Sequence, residues 1–447
     1  MTAEIAIMNK QAIALAADSA VTINLGPGVG QKIYNTNKLF ALSKYRPVGI
    51  MVYDLAELMG IPWESAIKSY RAELGKKSFG SLREYVDDFL SFFRRPNRVL
   101  SVDHQREYFF GIIRGLFTTI QQQMVQEINA SMMKNGPIKY AGVQKIVAEV
   151  LQKFHAEAVS HRLLAQFQDG DAKKLGTKYW TEIVKAKKSI FQHLPLPPDA
   201  DEMLEEIVTS SFCREWGPFG ASGVVIAGYG EDQIFPSVCA MRFSQVLDGQ
   251  LKHSEIEESA ISPTQPATII PFAQQEMASV FMEGVDPDYK EVVEKYLRKM
   301  FGDYPDQLLN LITGLDAKTR DSLLVKLRKV GDDLFKKFVE ETKKYRQTNH
   351  VKPVLGAVSY LSKDMLAEVA EALVSLTSFK RRITITSVET VGGPIDVAVI
   401  SKGDGFVWIK RKHYFKPELN HHFLNNYFGD DNEKKKRGRK GPAMAAS

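Results

Sequence analysis

The chain has 447 residues, 44% of them apolar and 25% charged, which suits two or three ordinary domains or one core with large insertions. Its formal charge of +6 is uneven: residues 430–447 hold six Lys/Arg and three Asp/Glu, so the body is nearly neutral, unlike a basic nucleic-acid-binding domain. No run of 18 apolar residues, no basic-then-apolar start and only two cysteines, Cys213 and Cys239, argue against a transmembrane helix, a secretory signal and a disulfide framework. The expected compartment is therefore the reducing cytoplasm.

The first element follows Thr2. Loss of Met1 would give this threonine a free α-amine, so one residue would offer a hydroxyl nucleophile and a base. Residues 3–19 read as two short strands around a turn at Asn9-Lys10, with Asp18 closing the second. Leu25-Gly26-Pro27-Gly28-Val29-Gly30 is a loop that tolerates insertion, and Lys38 follows it in Asn37-Lys38-Leu39-Phe40. Gly49-Ile50-Met51-Val52 is another short apolar run. From Asp54 the pattern turns helical through Leu55, Leu58, Met59, Trp63, Ala66, Ile67 and Tyr70, interrupted by Pro62.

Residues 75–212 read as helices over 82–90, 108–133, 143–168 and 201–211, with Leu194-Pro195-Leu196-Pro197-Pro198 as a breaker. The aromatic stripes Phe89, Phe92, Phe93 and Phe109, Phe110, Phe117 are core faces in this reading. Strands return over 223–230 and 235–243. A helix begins within 273–283, and a charged helical block spans 286–347. Ser362 is an N-cap for a helix running to about Phe379. Val391-Gly392-Gly393-Pro394-Ile395-Asp396-Val397-Ala398-Val399-Ile400-Ser401 then forms a strand, and the turn Gly403-Asp404-Gly405 joins it to Phe406-Val407-Trp408-Ile409. No pair of His or Cys has metal-ligand spacing, so neither metal nor cofactor is expected.

The order terminal Thr2, strand, turn, strand, Asp18, loop, Lys38 resembles the β-subunits of proteasomes and their bacterial relatives. Ala227-Gly228-Tyr229 after an apolar strand, and the Gly392-Gly393 loop leading into Ile395–Ile400, resemble later segments of the same family. The resemblance covers roughly residues 2–74, 213–285 and 355–412. It implies an α+β fold, a four-layer αββα sandwich (the N-terminal nucleophile, or Ntn, hydrolase fold) with two helical insertions. The expected division is 2–74, 213–285 and 351–428 for the core, 75–212 and 286–350 for insertions, and 429–447 for a disordered basic tail.

The resemblance implies a threonine-type peptidase or amidohydrolase with a peptide or protein substrate, working as a homo-oligomer, with an ATPase or other regulator as a further partner. Thr2 is the nucleophile in this reading. An α-amine has an ordinary pKa of about 7.7–8.0, which makes it a usable base near neutral pH. Lys38 would favour the alkoxide, and Asp18 would orient Lys38. Read without the family, each has a plain alternative: Asp18 as a turn cap and Lys38 as a surface strand residue. Lys32 is the next candidate if the insertion lies elsewhere.

The oxyanion donor falls at Asp54, where the family has glycine, and Val52 falls in the wall of the adjacent pocket. Glu389 and Thr390 take the family's supporting positions, or are an exposed strand end. Residues 270–275 lack the family's serine. Asp54 and that lack favour an alternative, a catalytically weak or inactive scaffold subunit of the same fold. The tail segment Lys436-Arg437-Gly438-Arg439-Lys440-Gly441-Pro442 faintly resembles an AT-hook, and the bland reading is a solubilising tail.

Overall fold

The computed structural model describes residues 3–24, 31–95, 98–168, 170–217, 220–384, 392–413 and 415–422. It is a mixed α/β chain. The strands β1 (Ala3–Asn9), β2 (Ile13–Ala17), β3 (Ala20–Asn24), β4 (Gln31–Asn35), β5 (Leu39–Ala41) and β6 (Val48–Asp54) come first. Two short strands, β7 (Glu57–Leu58) and β8 (Ile61–Pro62), lead into α1 (Trp63–Leu74) and α2 (Leu82–Arg94). The helices α3 (Val102–Asn135), α4 (Tyr140–Ser160), α5 (Asp171–Ile190) and α6 (Ala200–Cys213) follow. Next are β9 (Ser222–Gly228), β10 (Ser237–Leu247), β11 (Gln250–Ala260) and β12 (Ala267–Ala273). The helices α7 (Glu276–Glu283), α8 (Pro287–Asn310), α9 (Ala317–Arg346), α10 (Lys352–Val358) and α11 (Lys363–Ile383) precede the hairpin of β13 (Asp396–Ser401) and β14 (Gly405–Lys410).

Two five-stranded sheets run in the orders β12-β1-β2-β13-β14 and β11-β10-β9-β6-β5. The inner strands β1, β2 and β9 are buried along their whole lengths because both faces are covered there, whereas the edge strands β11 and β14 are largely exposed. Ala6, Met8 and Leu15 of the first sheet share one apolar cluster with Met51, Val225 and Ala240 of the second. The other face of the first sheet, through Ile5, Ile7 and Ala14, meets Leu366, Ala370 and Leu373 of α11. The other face of the second sheet, through Ile50 and Ile226, meets Trp63 and Ile67 of α1 and Val86, Phe89 and Phe93 of α2. Full burial of such a side chain is worth about 1.5–3 kcal/mol.

The expected insertion 75–212 differs from the structure at its start. Its first helix, α2, belongs to the same cluster as α1 and the second sheet, because Phe89, Phe92 and Phe93 supply apolar surface that the sheet buries. The Ser81-x-x-Glu84 sequence begins that helix: the Ser81 hydroxyl oxygen accepts from Glu84 N at 3.3 Å and donates to Glu84 Oε1 at 2.9 Å. Helices α3 to α6 build a separate cluster around Phe109, Phe117, Leu151, Ile183, Leu204 and Phe212. The helix expected to reach residue 168 stops at Ser160, since the chain from Leu163 instead bridges Arg214 and Leu164 N donates to Cys213 O. Leu25–Gly30 and the tail from 423 lie outside the described residues. No helix among the described residues is long and apolar enough to cross a membrane.

Candidate functional site

The site forms where the β1–β2 ladder begins. Asp18 N donates to Ala3 O at 3.1 Å, so Asp18 continues the antiparallel register one step past β2. Its carboxylate then collects three donors. Oδ1 accepts from Ala3 N at 3.1 Å and from Lys38 Nζ at 2.6 Å, and Oδ2 accepts from Gly392 N at 2.9 Å. Asp18 and Lys38 are 1% and 3% exposed, so this ion pair lies in the interior. A buried pair persists only when its remaining hydrogen-bonding capacity is used, and here backbone N–H groups use it.

Lys38 is placed by the approach to β5. Val52 N donates to Lys38 O at 2.9 Å, and Asn37 Nδ2 donates to Glu64 Oε2 of α1 at 3.1 Å. The loop that carries Gly392 is held by Ser19 N and Ala20 N, which both donate to Gly392 O. Gly393 adopts φ +75, and a β-carbon there would meet Asn35 Oδ1 at 2.6 Å, so this turn requires glycine.

Val52 is buried and belongs to the cluster facing α1 and α2. With Lys38, Asp54 and Trp63 it also lines a cavity of ≈ 10 Å³. Asp54 ends β6 at φ 65, a left-handed conformation that interrupts the strand. Its carboxylate is partly exposed and stands 4.0 Å from Arg242. Burial raises the Asp54 pKa from its ordinary value, and Arg242 opposes that shift. Asp54 and Leu55 also border a cleft of ≈ 830 Å³ between the sheet and the helices α3, α4 and α6, lined further by Phe154, Trp216, Arg242 and Lys252. The structure thus brings Asp18 and Lys38 together, with Val52 and Asp54 beside Lys38. Thr2, Glu389 and Thr390 lie outside the described residues.

Sequence reasoning missed three charged groups at this end of the sheets. Glu4 is 2% exposed on β1, and neither carboxyl oxygen has a hydrogen-bond partner among the described residues. Burial pushes its carboxyl well above the usual range; Lys38 opposes this, and Asp18 and Asp54 add to it. Asp396, 2% exposed, accepts from Lys412 N at 2.8 Å and from Lys412 Nζ at 2.9 Å. Lys412 Nζ also donates to Ser19 Oγ at 2.5 Å. The available signal was an acidic residue inside an otherwise apolar strand, in Ala3-Glu4-Ile5 and in Ile395-Asp396-Val397. Tyr53, whose ring stacks on Phe272 at 5.7 Å, has its hydroxyl pushed up to about 12 by burial, with Asp54 and Glu4 contributing.

The region expected to replace the family's serine loop is a strand end. Ala273, at φ 61, lies opposite Ala3 in the β1–β12 register, and Gln274 accepts from Arg381 of α11. Glu276, Asp286 and Asp288 present carboxylates within 4.8 Å of one another. Lys380 Nζ reaches Glu276 at 3.0 Å and Asp286 at 3.3 Å, so the protein supplies counter-charge to this cluster itself.

No protein-family profile matches the chain, and no curated protein matches it. Among solved structures, it is similar to the Anbu (Gly-1) mutant from Hyphomicrobium sp. strain MC1, with 8% sequence identity, 100% of each chain covered and a TM-score of 0.25. A likeness of that size does not establish a shared fold. The resemblance to proteasome β-subunits and their bacterial relatives is therefore corrected: these comparisons give the chain no family, and its local sequence likeness does not extend to one.

Proposed function

We propose that the chain is a threonine hydrolase acting on peptide or other amide bonds, with Thr2 as nucleophile once the bond preceding it has been cleaved. The observation that supports this most is the shared oxygen of Asp18. One carboxylate oxygen binds the N–H of Ala3, the residue bonded to Thr2, and also the ammonium of Lys38. The start of β1 and a buried cation are thereby tied to one anchor.

In this reading the Thr2 hydroxyl oxygen attacks the amide carbonyl while the α-amine takes the hydroxyl proton. The amine returns that proton to the leaving nitrogen as the C–N bond breaks, and an ester on Thr2 remains. Water, giving a proton to the same amine, then attacks the ester carbonyl; the C–O bond to Thr2 breaks, the acid leaves, and the amine returns the proton to the Thr2 oxygen. The Lys38 ammonium lowers the cost of negative charge on the Thr2 oxygen, and Asp18 fixes the position of Lys38. The ≈ 830 Å³ cleft that reaches Asp54 and Leu55 is the route for substrate, with a volume in the ordinary range for ligand sites. The left-handed backbone at Asp54 and Ala273 supports the same location, because strained conformations collect at functional sites. The layers described above are read as a four-layer αββα sandwich carrying the helices α3 to α6, α8 and α9 as additions.

One observation favours the scaffold alternative. The cavity beside Lys38 measures ≈ 10 Å³, room for about one water and no more. A panel of fluorogenic peptide amides, incubated with the wild type and with Thr2→Ala, separates the two. Turnover by the wild type alone supports the hydrolase, and equal turnover by both removes Thr2 from the reaction.

A further inference from the structure

Glu4 is the one charged residue of β1, a strand buried along all seven positions. It pairs in register with Ala17 of β2 and Phe272 of β12, both members of the cluster between the sheets. Paired residues of neighbouring strands share a face, so Glu4 points into the inter-sheet layer with Ala6 and Met8. The titratable groups around it are Asp18 after β2, Lys38 before β5, and Tyr53 and Asp54 of β6; β12 brings the neutral Phe272. A leucine here would pack without leaving any polar atom unbonded. A buried carboxyl with no partner among the described residues is the kind of local cost that proteins keep where function requires it.

We propose that Glu4 is a positioning residue of the Asp18–Lys38 site, a carboxyl that leaves the site's charge balanced while protonated and switches the site off when it ionises. With Glu4 neutral, Lys38 and Asp18 sum to zero. Ionisation breaks the Glu4 O–H bond, releases the proton to solvent and leaves a second carboxylate facing Lys38. The site then carries a net negative charge, which opposes an oxyanion and divides the hold on the Lys38 ammonium. Glu4 therefore sets an alkaline limit on the chemistry. This inference rests on the threonine-hydrolase reading for its activity readout, but the charge coupling itself is measurable without turnover.

The experiment uses the full chain and the variants Glu4→Gln, Glu4→Leu and Lys38→Met. Infrared difference spectra across a pH series report a protonated carboxyl C=O band in the wild type at neutral pH that is absent from Glu4→Gln. Lys38 draws Glu4 towards ionisation, so in Lys38→Met the band should persist to a pH higher by about one unit. Lack of the band, or the same midpoint in Lys38→Met, overturns the coupling. On a fluorogenic peptide amide, Glu4→Gln should move the alkaline limb of kcat/KM upward by about one pH unit and leave its plateau within about twofold. Glu4→Leu should raise the melting temperature and shift the limb equally. A rise in melting temperature with an unmoved limb shows a purely structural group and overturns the proposal. Hydrolysis retained in Thr2→Ala would refute the hydrolase reading alone, since the infrared arm reads Glu4 and Lys38 regardless.

Discussion

Lys38 Nζ and Asp18 Oδ1 lie 2.6 Å apart with both side chains buried, and the same oxygen accepts the N–H of Ala3 at 3.1 Å. An ion pair in the interior is costly to form and costlier to break, since removing one partner leaves the other charge unpaired. The pair therefore couples the start of β1, the approach to β5 and the Gly392 loop into one unit.

Lys38→Met should destabilise the fold by about 3–5 kcal/mol, the usual cost of leaving a buried carboxylate without its cation. Urea unfolding measures it, and a loss below about 1 kcal/mol would place the pair in a solvated setting instead. Lys38→Arg should restore part of the stability but not hydrolysis, because the larger planar guanidinium does not reproduce a compact ammonium. Hydrolysis at the wild-type rate in Lys38→Ala would remove Lys38 from the reaction.

Lys252 offers a pH test away from the site. Its Nζ donates to Ser211 O at 2.9 Å and Trp216 O at 2.5 Å, binding the end of α6 to β11. Burial lowers its pKa from 10.5 to about 8. Between those values the unfolded chain keeps the proton and the folded chain has lost it, so stability rises with pH over that window. The difference in unfolding free energy between wild type and Lys252→Met should thus grow in favour of the wild type from pH 8 towards 10.5. A flat difference would mean that Lys252 keeps its ordinary titration.

Gly223 leaves room for Tyr53. A β-carbon at Gly223 would stand 2.0 Å from Tyr53 Cζ, inside the ring. Gly223→Ala should destabilise by about 1–3 kcal/mol through overpacking. In a Tyr53→Ala background the same substitution should cost much less, because the collision partner is gone. Equal costs in both backgrounds, measured by denaturant unfolding, would show that the ring moves aside freely.

Much of the framework was legible from residue order. The apolar run Ile13–Ala17 is β2 over those same residues, the Gly49–Val52 run lies inside β6, and the turn at Gly403–Gly405 joins β13 to β14. β11 escaped notice because Glu255, Glu257 and Glu258 give an edge strand the look of a solvated loop. β12 was hidden by Pro271 and by its nearness to α7; pairing with β1 overrides the local signal. Ser362 stands before α11 as expected, but its hydroxyl bonds to the Asp364 carboxylate, not to a backbone N–H. At the site, Asp18 and Lys38 were legible through their order along the chain, one at the end of an apolar strand and the other after a Gly-rich loop. Glu4 interrupts an apolar strand, but its meaning depends on Tyr53, Asp54 and Phe272, which only the two sheets bring near it.

The proposed hydrolase function requires Thr2 to be a nucleophile tuned by Lys38. The most direct measurement is peptide mapping by mass spectrometry after reaction with a peptidyl β-lactone, whose ring opens on an activated hydroxyl. The expected result is a chain beginning at Thr2 with one acyl adduct on that residue, absent from Lys38→Ala. An adduct that forms equally in Lys38→Ala, one that sits on another residue, or a Thr2 amine still blocked by Met1 in active protein would contradict it.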